Sequence, residues 1–287
     1  MPISVALFRV RVAAGCHDQL PARGAETESL GANSWQPAAS SWSGLVVAVT
    51  IGEFIMAKRV IVSWSGGKDS AWTLHVLRQQ PQRYSVTGLL TTINQEFNRI
   101  AMHGVRRELL EAQAAAAGLP LWVVPLPFPY ANEHYERRIG NALHFIRNLG
   151  IEALAFGDLY LQDVRDYREK QFANYGLELL FPIWGIPTDA LAQDMLRGGL
   201  KARLSCIDPR VLSPEFAGRD YDSRLLRDLP PGTDPCAEKG EFHTFVYAGP
   251  MFRQAISVVN GEIVERDGFV YADLLPVAGT GSQPQLG

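Results

Sequence analysis

The sequence has few cysteines, and their spacing argues against two kinds of site. Only Cys16, Cys206 and Cys236 occur among the 287 residues, and no two of them form a Cys-x-x-Cys pair. The spacing used by zinc sites and redox pairs is therefore absent. An odd number of cysteines also argues against a disulfide framework, so we expect a protein of the reducing cytoplasm.

Long hydrophobic runs are also missing. The apolar stretch over residues 44–56, GLVVAVTIGEFIM, has 13 residues, whereas a membrane-spanning helix needs roughly 20. The amino terminus does not read as a signal peptide, because Arg9 and Arg11 interrupt its apolar segment and no basic residue precedes it. We therefore expect a soluble chain with no membrane partner.

The chain has no surplus of positive charge. It contains 27 Lys and Arg against 30 Asp and Glu, which gives a formal net charge of −3. Proteins that bind nucleic acids usually carry a basic face or stripe, and the pair Arg106-Arg107 is typical of a solvated helix face. We therefore expect no nucleic-acid partner.

What the sequence does contain is a regular alternation of apolar runs and amphipathic segments. RVIVSW and YSVTGLLTT predict strands. HGVRRELLEAQAAAAG and NEHYERRIGNALHFIRNLG predict helices that end at a glycine, the second of them capped by Asn132. Strands that alternate with helices indicate an α/β fold, a parallel sheet with helices on both faces.

This pattern changes after about Pro187. A helix, a strand and hairpin-like stretches follow, and the NGE after Val259 predicts a turn. We therefore predict an α/β domain over residues 56–186 and a smaller α+β domain over 187–276. Residues 1–55 lack periodicity and precede a natural start at Met56, so we interpret them as a disordered extension outside the fold, and 277–287 as a loose tail.

The stretch SWSGGKDS interrupts the join between the first strand and the first helix. Ligands of such sheets bind at the carboxyl ends of the strands. Glycines let a backbone turn with positive φ and approach a ligand closely, and the N–H groups at a helix start attract anions. We therefore predict an anion-binding loop made of Ser65, Gly66, Gly67, Lys68, Asp69 and Ser70.

The loop is not a Walker A motif, because Val62 stands where that motif needs glycine and Asp69 where it needs Ser or Thr. It resembles the S-G-G-x-D-S pyrophosphate loop (PP-loop) of the N-type ATP pyrophosphatases. The resemblance implies a sheet of the adenine nucleotide α-hydrolase-like (HUP) type. It also implies cleavage of ATP to AMP and pyrophosphate with Mg²⁺.

Three further stretches narrow the resemblance: HGVRR, GDLYLQDVRDYREK and DPCAEKGEFHTFVYAGPMF. Together they look like the diphthine–ammonia ligase family and its bacterial relatives, over about residues 57–260. One motif departs from the family, which usually has Gly-Glu-Asn-Gly-Glu where this chain has Ala237-Glu238-Lys239-Gly240-Glu241. Because diphthamide is made in eukaryotes and archaea, the resemblance transfers the reaction type more safely than the acceptor.

The resemblance and the expected strand ends together predict three groups of residues. Lys68, Asp69, Glu241 and His243 are the expected catalytic residues, and Asp69 either holds Mg²⁺ or caps the helix. ATP is expected to contact the loop, Leu90, Thr91 and Thr92 at the end of the second strand, and Gly157 and Asp158. The acceptor is expected to contact His103, Arg106, Arg165, Arg168, Glu238 and Thr244.

Ordinary structural interpretations stay open for several of these residues. His103 could cap a helix, Arg165 and Arg168 could lie on a solvated helix face, and His243 could be a buried histidine with its hydrogen bonds satisfied. The leading functional hypothesis is an amide ligase that adenylates a carboxylate and transfers it to ammonia. The alternatives are a tRNA-modifying enzyme with the same loop and a nucleotide-binding module without catalysis; a homodimer is an open option.

Overall fold

The computed structural model describes residues 56–100, 103–127 and 132–277. The predicted amino-terminal extension and the tail from residue 278 lie outside these residues. The first of two sheets is parallel and has the strand order β3-β2-β1-β4-β5. Its strands are β1 (Lys58–Ser63), β2 (Tyr84–Asn94), β3 (Leu121–Leu126), β4 (Ala153–Ala155) and β5 (Glu178–Leu180).

Helices cover both faces of this sheet, which confirms the predicted α/β class. Val60 and Val62 of β1 point into one apolar core with Leu74 and Leu109. Ile61, between them, points into the core on the other face, as the two-residue period of a strand requires. The helices are α1 (Lys68–Arg78) and α2 (Arg107–Ala117) on the first face, and α3 (Asn132–Asn148) and α4 (Gln162–Phe172) on the second.

The predicted start of α2 was wrong. The helix begins at Arg107, not at His103, because Gly104 adopts a φ of +64° and Arg106 is extended, with φ −66° and ψ 143°. The end of β2 was also placed too early, since this strand continues to Asn94. Asn132 is the first described residue of α3, and the residue before it lies outside the described ranges. The predicted capping role of Asn132 therefore stays a prediction.

The second sheet is antiparallel and has the order β7-β6-β9-β8, which agrees with the predicted α+β region. It follows helix α5, and a short helix, α6, stands between β6 and β7. The elements are α5 (Thr188–Arg197), β6 (Lys201–Ile207), α6 (Ser223–Asp228), β7 (Phe242–Ala248), β8 (Val258–Arg266) and β9 (Phe269–Pro276).

The turn predicted at Asn260-Gly261 was wrong, because both residues lie inside β8. The hairpin turns instead at Asp267 and Gly268, whose φ angles of 52° and 80° fit a two-residue hairpin turn. Asn260 lies at an irregularity in the β8–β9 register, and its side-chain amide donates to the Gly218 carbonyl oxygen over 2.9 Å.

The two sheets meet at the loop that follows β1. The backbone N–H of Val246 in β7 donates to the carbonyl oxygen of Gly66 over 3.0 Å. The apolar core beneath α1 and α2 continues into side chains of β6, β7 and β9. The second sheet therefore packs beside the carboxyl end of β1. Within the described part of the chain, no helix is both long enough and apolar enough to cross a bilayer.

Candidate functional site

The loop between β1 and α1 makes a tight turn at two glycines. Gly66 has a φ of +77°, a conformation that favours glycine. A Cβ on Gly66 would stand 2.8 Å from Leu110 Cδ2 and 2.9 Å from Gln113 Oε1. The hydroxyls of Ser65 and Ser70 lie 3.1 Å apart and close the turn. The loop therefore brings backbone N–H groups to the start of α1, where an anion is stabilised.

Gln113 of α2 holds the loop from behind and was missed in the sequence. Its side chain is fully buried, accepts from Trp64 Nε1 over 2.9 Å, and donates to the carbonyl oxygens of Gly66 and Val246 over 2.9 Å and 2.7 Å. The sequence did contain a signal for this role, because Gln113 lies on the same inward-facing stripe of α2 as Leu109, Leu110 and several alanines. A buried amide at such a position needs polar partners.

Strand β7 covers the loop from the second sheet. The hydroxyl oxygen of Thr244 accepts a hydrogen bond from the Lys68 backbone N–H over 3.0 Å, and the Thr244 carbonyl oxygen would stand 3.2 Å from a Cβ on Gly67. Thr244, predicted to contact the acceptor, therefore lies against the loop itself. A residue from the second sheet thus satisfies one of the N–H groups at the start of α1.

Lys68 is almost completely buried, with 2% of its surface exposed. Its ammonium donates to Asp69 Oδ2 over 2.9 Å and to the carbonyl oxygen of Cys236, and it lies 5.9 Å and 5.6 Å from the ring centres of Tyr221 and Phe242. Burial disfavours the charge, but the Asp69 carboxylate keeps the pKa of Lys68 above its ordinary value. The positive charge of the loop is therefore retained inside the protein.

Asp69 lies in the first turn of α1, beside the end of β4. The predicted capping role of Asp69 was wrong, because the N-cap of α1 is Gly67 and Asp69 lies within the helix. Its Oδ1 atom is buried and has no hydrogen-bond partner among the described residues. Gly157 allows this close approach, because a Cβ there would stand 2.8 Å from the Asp69 carbonyl carbon and 2.9 Å from the Ser70 nitrogen. Gly157 therefore leaves room for α1, since any side chain there would push the helix away, and its predicted contact with ATP stays a prediction.

His103 and His243 form a pair beside Gly67. Their ring centres are 4.3 Å apart with an interplanar angle of 38°. Burial and the nearby Lys68 lower the pKa of His103 to about 4, and burial, His103 and Lys68 hold the pKa of His243 well below its ordinary value. Both rings are therefore neutral at pH 7.

The turn over residues 234–241 carries three acidic side chains. Glu238 accepts from the backbone N–H of Leu159 over 2.8 Å, and burial raises its pKa to about 7. Glu241 accepts from the backbone N–H groups of Lys239 and Asp234 over 3.1 Å and 3.4 Å. Asp234 accepts from Tyr160 over 2.9 Å. Glu241 stands just before β7 and supports this turn, whereas His243 lies against the loop.

The three arginines predicted to bind the acceptor all have protein partners. Arg168 forms a two-pronged pair with Asp158, which was itself predicted to contact ATP. Arg165 pairs with Glu169 over 2.8 Å and lies over the rings of Phe181 and Trp184.

Arg106 reaches across to the second sheet. It donates from Nε and Nη2 to both carboxylate oxygens of Asp273 in β9, over 3.0 Å and 2.6 Å. Arg99 donates to the same carboxylate over 2.7 Å. This arrangement fixes the segment that carries His103 against the second sheet, so Arg106 has a structural role in the fold.

Leu90, Thr91 and Thr92 lie beside the end of β1. Leu90 pairs with Ser63, the last residue of β1, and its carbonyl oxygen accepts from the Trp64 backbone N–H over 2.7 Å. Thr91 and Thr92 continue β2 past that point. Thr91 Oγ1 is buried without a partner in the described part of the chain. Their predicted contact with adenosine stays a prediction.

The chain was compared with known proteins. The chain is similar to the U34-tRNA thiolase NcsA of Methanococcus maripaludis, a structure that holds a 4Fe-4S cluster, with 20% identity and a TM-score of 0.33. The match covers 52% of this chain and 60% of that one. A search of curated proteins finds no match. The family models of the diphthamide synthase N-terminal and C-terminal domains match residues 58–179 and 188–273. The chain therefore belongs to the diphthamide synthase family, within the PP-loop superfamily.

Proposed function

We propose that the protein is an ATP-dependent amide ligase that adenylates a carboxylate and amidates it with ammonia, releasing AMP and pyrophosphate. The observation that carries the proposal is the loop over residues 65–70. It combines the Gly66 turn, a helix start, two facing hydroxyls and a buried lysine at the carboxyl end of β1. The membership of the chain in a family of ATP-using enzymes supports the same reaction class.

The chemistry has two steps. A carboxylate oxygen attacks the α-phosphorus of ATP, the bond between the α- and β-phosphates breaks, and pyrophosphate leaves. Ammonia then attacks the acyl carbon, and the bond from this carbon to the bridging oxygen breaks. AMP leaves with that oxygen, and a proton passes to solvent. Since negative charge grows on the leaving pyrophosphate, fixed N–H donors and the Lys68 charge stabilise the transition state most where that group stands.

Magnesium fits the residues at the start of α1. The buried and unpartnered Oδ1 of Asp69 is the kind of oxygen ligand that Mg²⁺ binds together with substrate phosphates. When bound, the ion would neutralise phosphate charge. Asp69 also pairs with Lys68, so one carboxylate would hold both cations.

The acceptor would bind on the side of the second sheet. A cleft of about 420 Å³ lies there, lined among others by Arg210, Lys239 and Glu241. The Lys239 side chain forms no ion pair with any residue in the described ranges, so it is available to an anionic group. Lys239 is also a position where this chain departs from the usual family motif. This difference supports an acceptor that differs from the acceptor of the family.

The tRNA-modifying alternative has less support where it would transfer sulfur through a cysteine. Sulfur transfer through a cysteine would need a reactive thiolate, but burial raises the pKa of both Cys206 and Cys236 to about 12. Both thiols are buried. Cys16 lies outside the described residues.

Product analysis tests the proposal. The full chain is incubated with ATP, Mg²⁺, ammonium and a panel of small carboxylates, and the nucleotides are separated by chromatography. We expect AMP and pyrophosphate in equal amounts, and only with a suitable carboxylate. ADP as the main product would contradict the proposed function, and AMP that requires added tRNA instead would support the alternative.

A further inference from the structure

His103 and His243 come from different parts of the chain and meet at the loop. His103 precedes α2, and His243 belongs to β7. His103 Cε1 would stand 3.5 Å from a Cβ on Gly67, and the two rings contact each other. The residue after His243, Thr244, binds the Lys68 backbone N–H. The pair therefore lies within reach of a group bound at the loop.

Each ring has a buried nitrogen without a partner. His103 Nδ1 and His243 Nε2 have no hydrogen-bond partner among the described residues. The other side of the His103 ring interacts with the backbone of Thr244. Buried polar atoms normally find partners, so an orphan nitrogen on each of two contacting rings indicates that a ligand supplies the missing partners.

The charges around the pair decide which ligand fits. Lys68 is the charged side chain that acts on both rings, and it lowers the pKa of each. On the other side of the His103 segment, Arg99 donates to the Gly104 carbonyl oxygen over 2.8 Å, and Tyr271 lies under Gly104. Arg99 is itself paired with the carboxylate of Asp273, so the charge that acts on both rings is the positive one of Lys68. An anion placed there would offset this charge and favour imidazolium.

We propose that His103 and His243 bind the β- and γ-phosphates of ATP, and that the pair takes up a proton from solvent when these phosphates arrive. The proposal rests on the ATP site of the proposed function, and it places His103, which was predicted to contact the acceptor, at the phosphates together with His243. A proton adds to one orphan nitrogen, which then donates to a phosphate oxygen. No covalent bond of ATP changes in this step.

The sign of the pH dependence follows. A group that is neutral in the free protein and protonated in the complex makes ATP bind more tightly at lower pH. Affinity is lost as the pH rises through the pKa of the complex, by at most about tenfold per pH unit for one proton. AMP lacks the β- and γ-phosphates and should show neither effect.

Titration calorimetry of the full chain in buffers with different ionisation enthalpies measures the proton directly. With ATP at pH 7.0 we expect net proton uptake, and with AMP none. His103→Gln and His243→Gln should each reduce the uptake and weaken ATP binding about tenfold, with AMP affinity within about threefold. His75→Gln is the matched control, because His75 also stacks on a ring, Trp72, and has a pKa lowered by burial.

ATP binding to the wild type without proton uptake would overturn the proposal. It would also be overturned if both variants took up as many protons with ATP as the wild type does, and if AMP binding caused the same uptake. The wild-type measurement decides this even where a variant fails to fold. Thermal unfolding of each variant identifies such a case. No ATP binding at all overturns the proposed function as well. Conversely, ADP formation in the product assay would contradict the ligase reaction only. The calorimetric result would still test whether the histidine pair binds the phosphates.

Discussion

The side-chain amide of Gln113 in α2 donates to the carbonyl oxygen of Gly66 over 2.9 Å, and the same amide reaches Val246 in β7 over 2.7 Å. One buried side chain thus joins a helix of the first sheet, the loop and a strand of the second sheet. The geometry of the loop therefore depends on a residue that a ligand need not touch.

Gln113→Leu should remove these bonds and leave Trp64 Nε1 and the Val246 carbonyl oxygen buried without this partner. We expect a loss of about 2–4 kcal/mol in the free energy of unfolding, measured by urea denaturation, together with weaker ATP binding. Gln193→Leu is the control, since Gln193 is exposed on α5. Equal stability of the two variants would contradict the role of Gln113.

Ala237 adopts a φ of 54°, which costs an L-residue about 1–2 kcal/mol. The family motif has glycine there, so Ala237→Gly should be neutral or stabilising by about 0.5 kcal/mol after the lost methyl group and added chain entropy. Gly240, with a φ of 86°, gives the opposite test. Gly240→Ala should destabilise by about 1–2 kcal/mol, and thermal unfolding measures both. A large loss in Ala237→Gly would show that the turn is not strained.

Asp69→Asn should stay folded but lose turnover by about 100-fold or more, about 2.7 kcal/mol of barrier. Because Asp69 does not cap α1, the change removes no cap; asparagine has nearly the size of aspartate but brings no charge to Mg²⁺ or to Lys68. Chromatography of AMP formation measures the loss. Asp163→Asn, at an exposed acid in the first turn of α4, should keep full turnover. Full activity of Asp69→Asn would remove its metal role.

Glu241→Gln should leave ATP affinity within about threefold, below roughly 0.7 kcal/mol. Its carboxylate contacts the turn over residues 234–240 and not the loop, and one oxygen remains as an acceptor after the change. Calorimetry with ATP measures the affinity. A collapse of ATP binding would show that this turn shapes the nucleotide site.

Asp273 should make stability depend on pH. Partial burial opposes its charge, but hydrogen bonds from Arg106 and Arg99 outweigh this and lower its pKa from 3.8 to about 2. A folded-state pKa below the unfolded one gives stability that is present above about pH 4 and lost as the pH falls towards 2, up to about 2 kcal/mol. The difference in free energy of unfolding between wild type and Asp273→Asn should therefore shrink from pH 5 to pH 2.5. A difference in free energy of unfolding that stays constant from pH 5 to pH 2.5 would contradict the lowered pKa of Asp273.

The loop was predictable because its signal is local. Two glycines and a lysine between a β-branched run and a helix leave few backbone conformations, and Gly66 adopts the expected positive φ. The alternation of strands and helices was predictable for the same reason. By contrast, Asn260-Gly261 and Asp267-Gly268 have equally good turn chemistry, and only the pairing of β8 with β9 selects the second.

By itself, the sequence determined the α/β alternation, the smaller second region and the place of the loop, since these follow from short-range periodicity and glycine backbone freedom. The tertiary structure decided the partners of the polar side chains. Arg106 and Asp273 are 167 positions apart, and His103 meets His243 only because β7 packs against the loop. A polar side chain buried by folding must find its partner wherever the packing of distant segments places one, and no local pattern records that position.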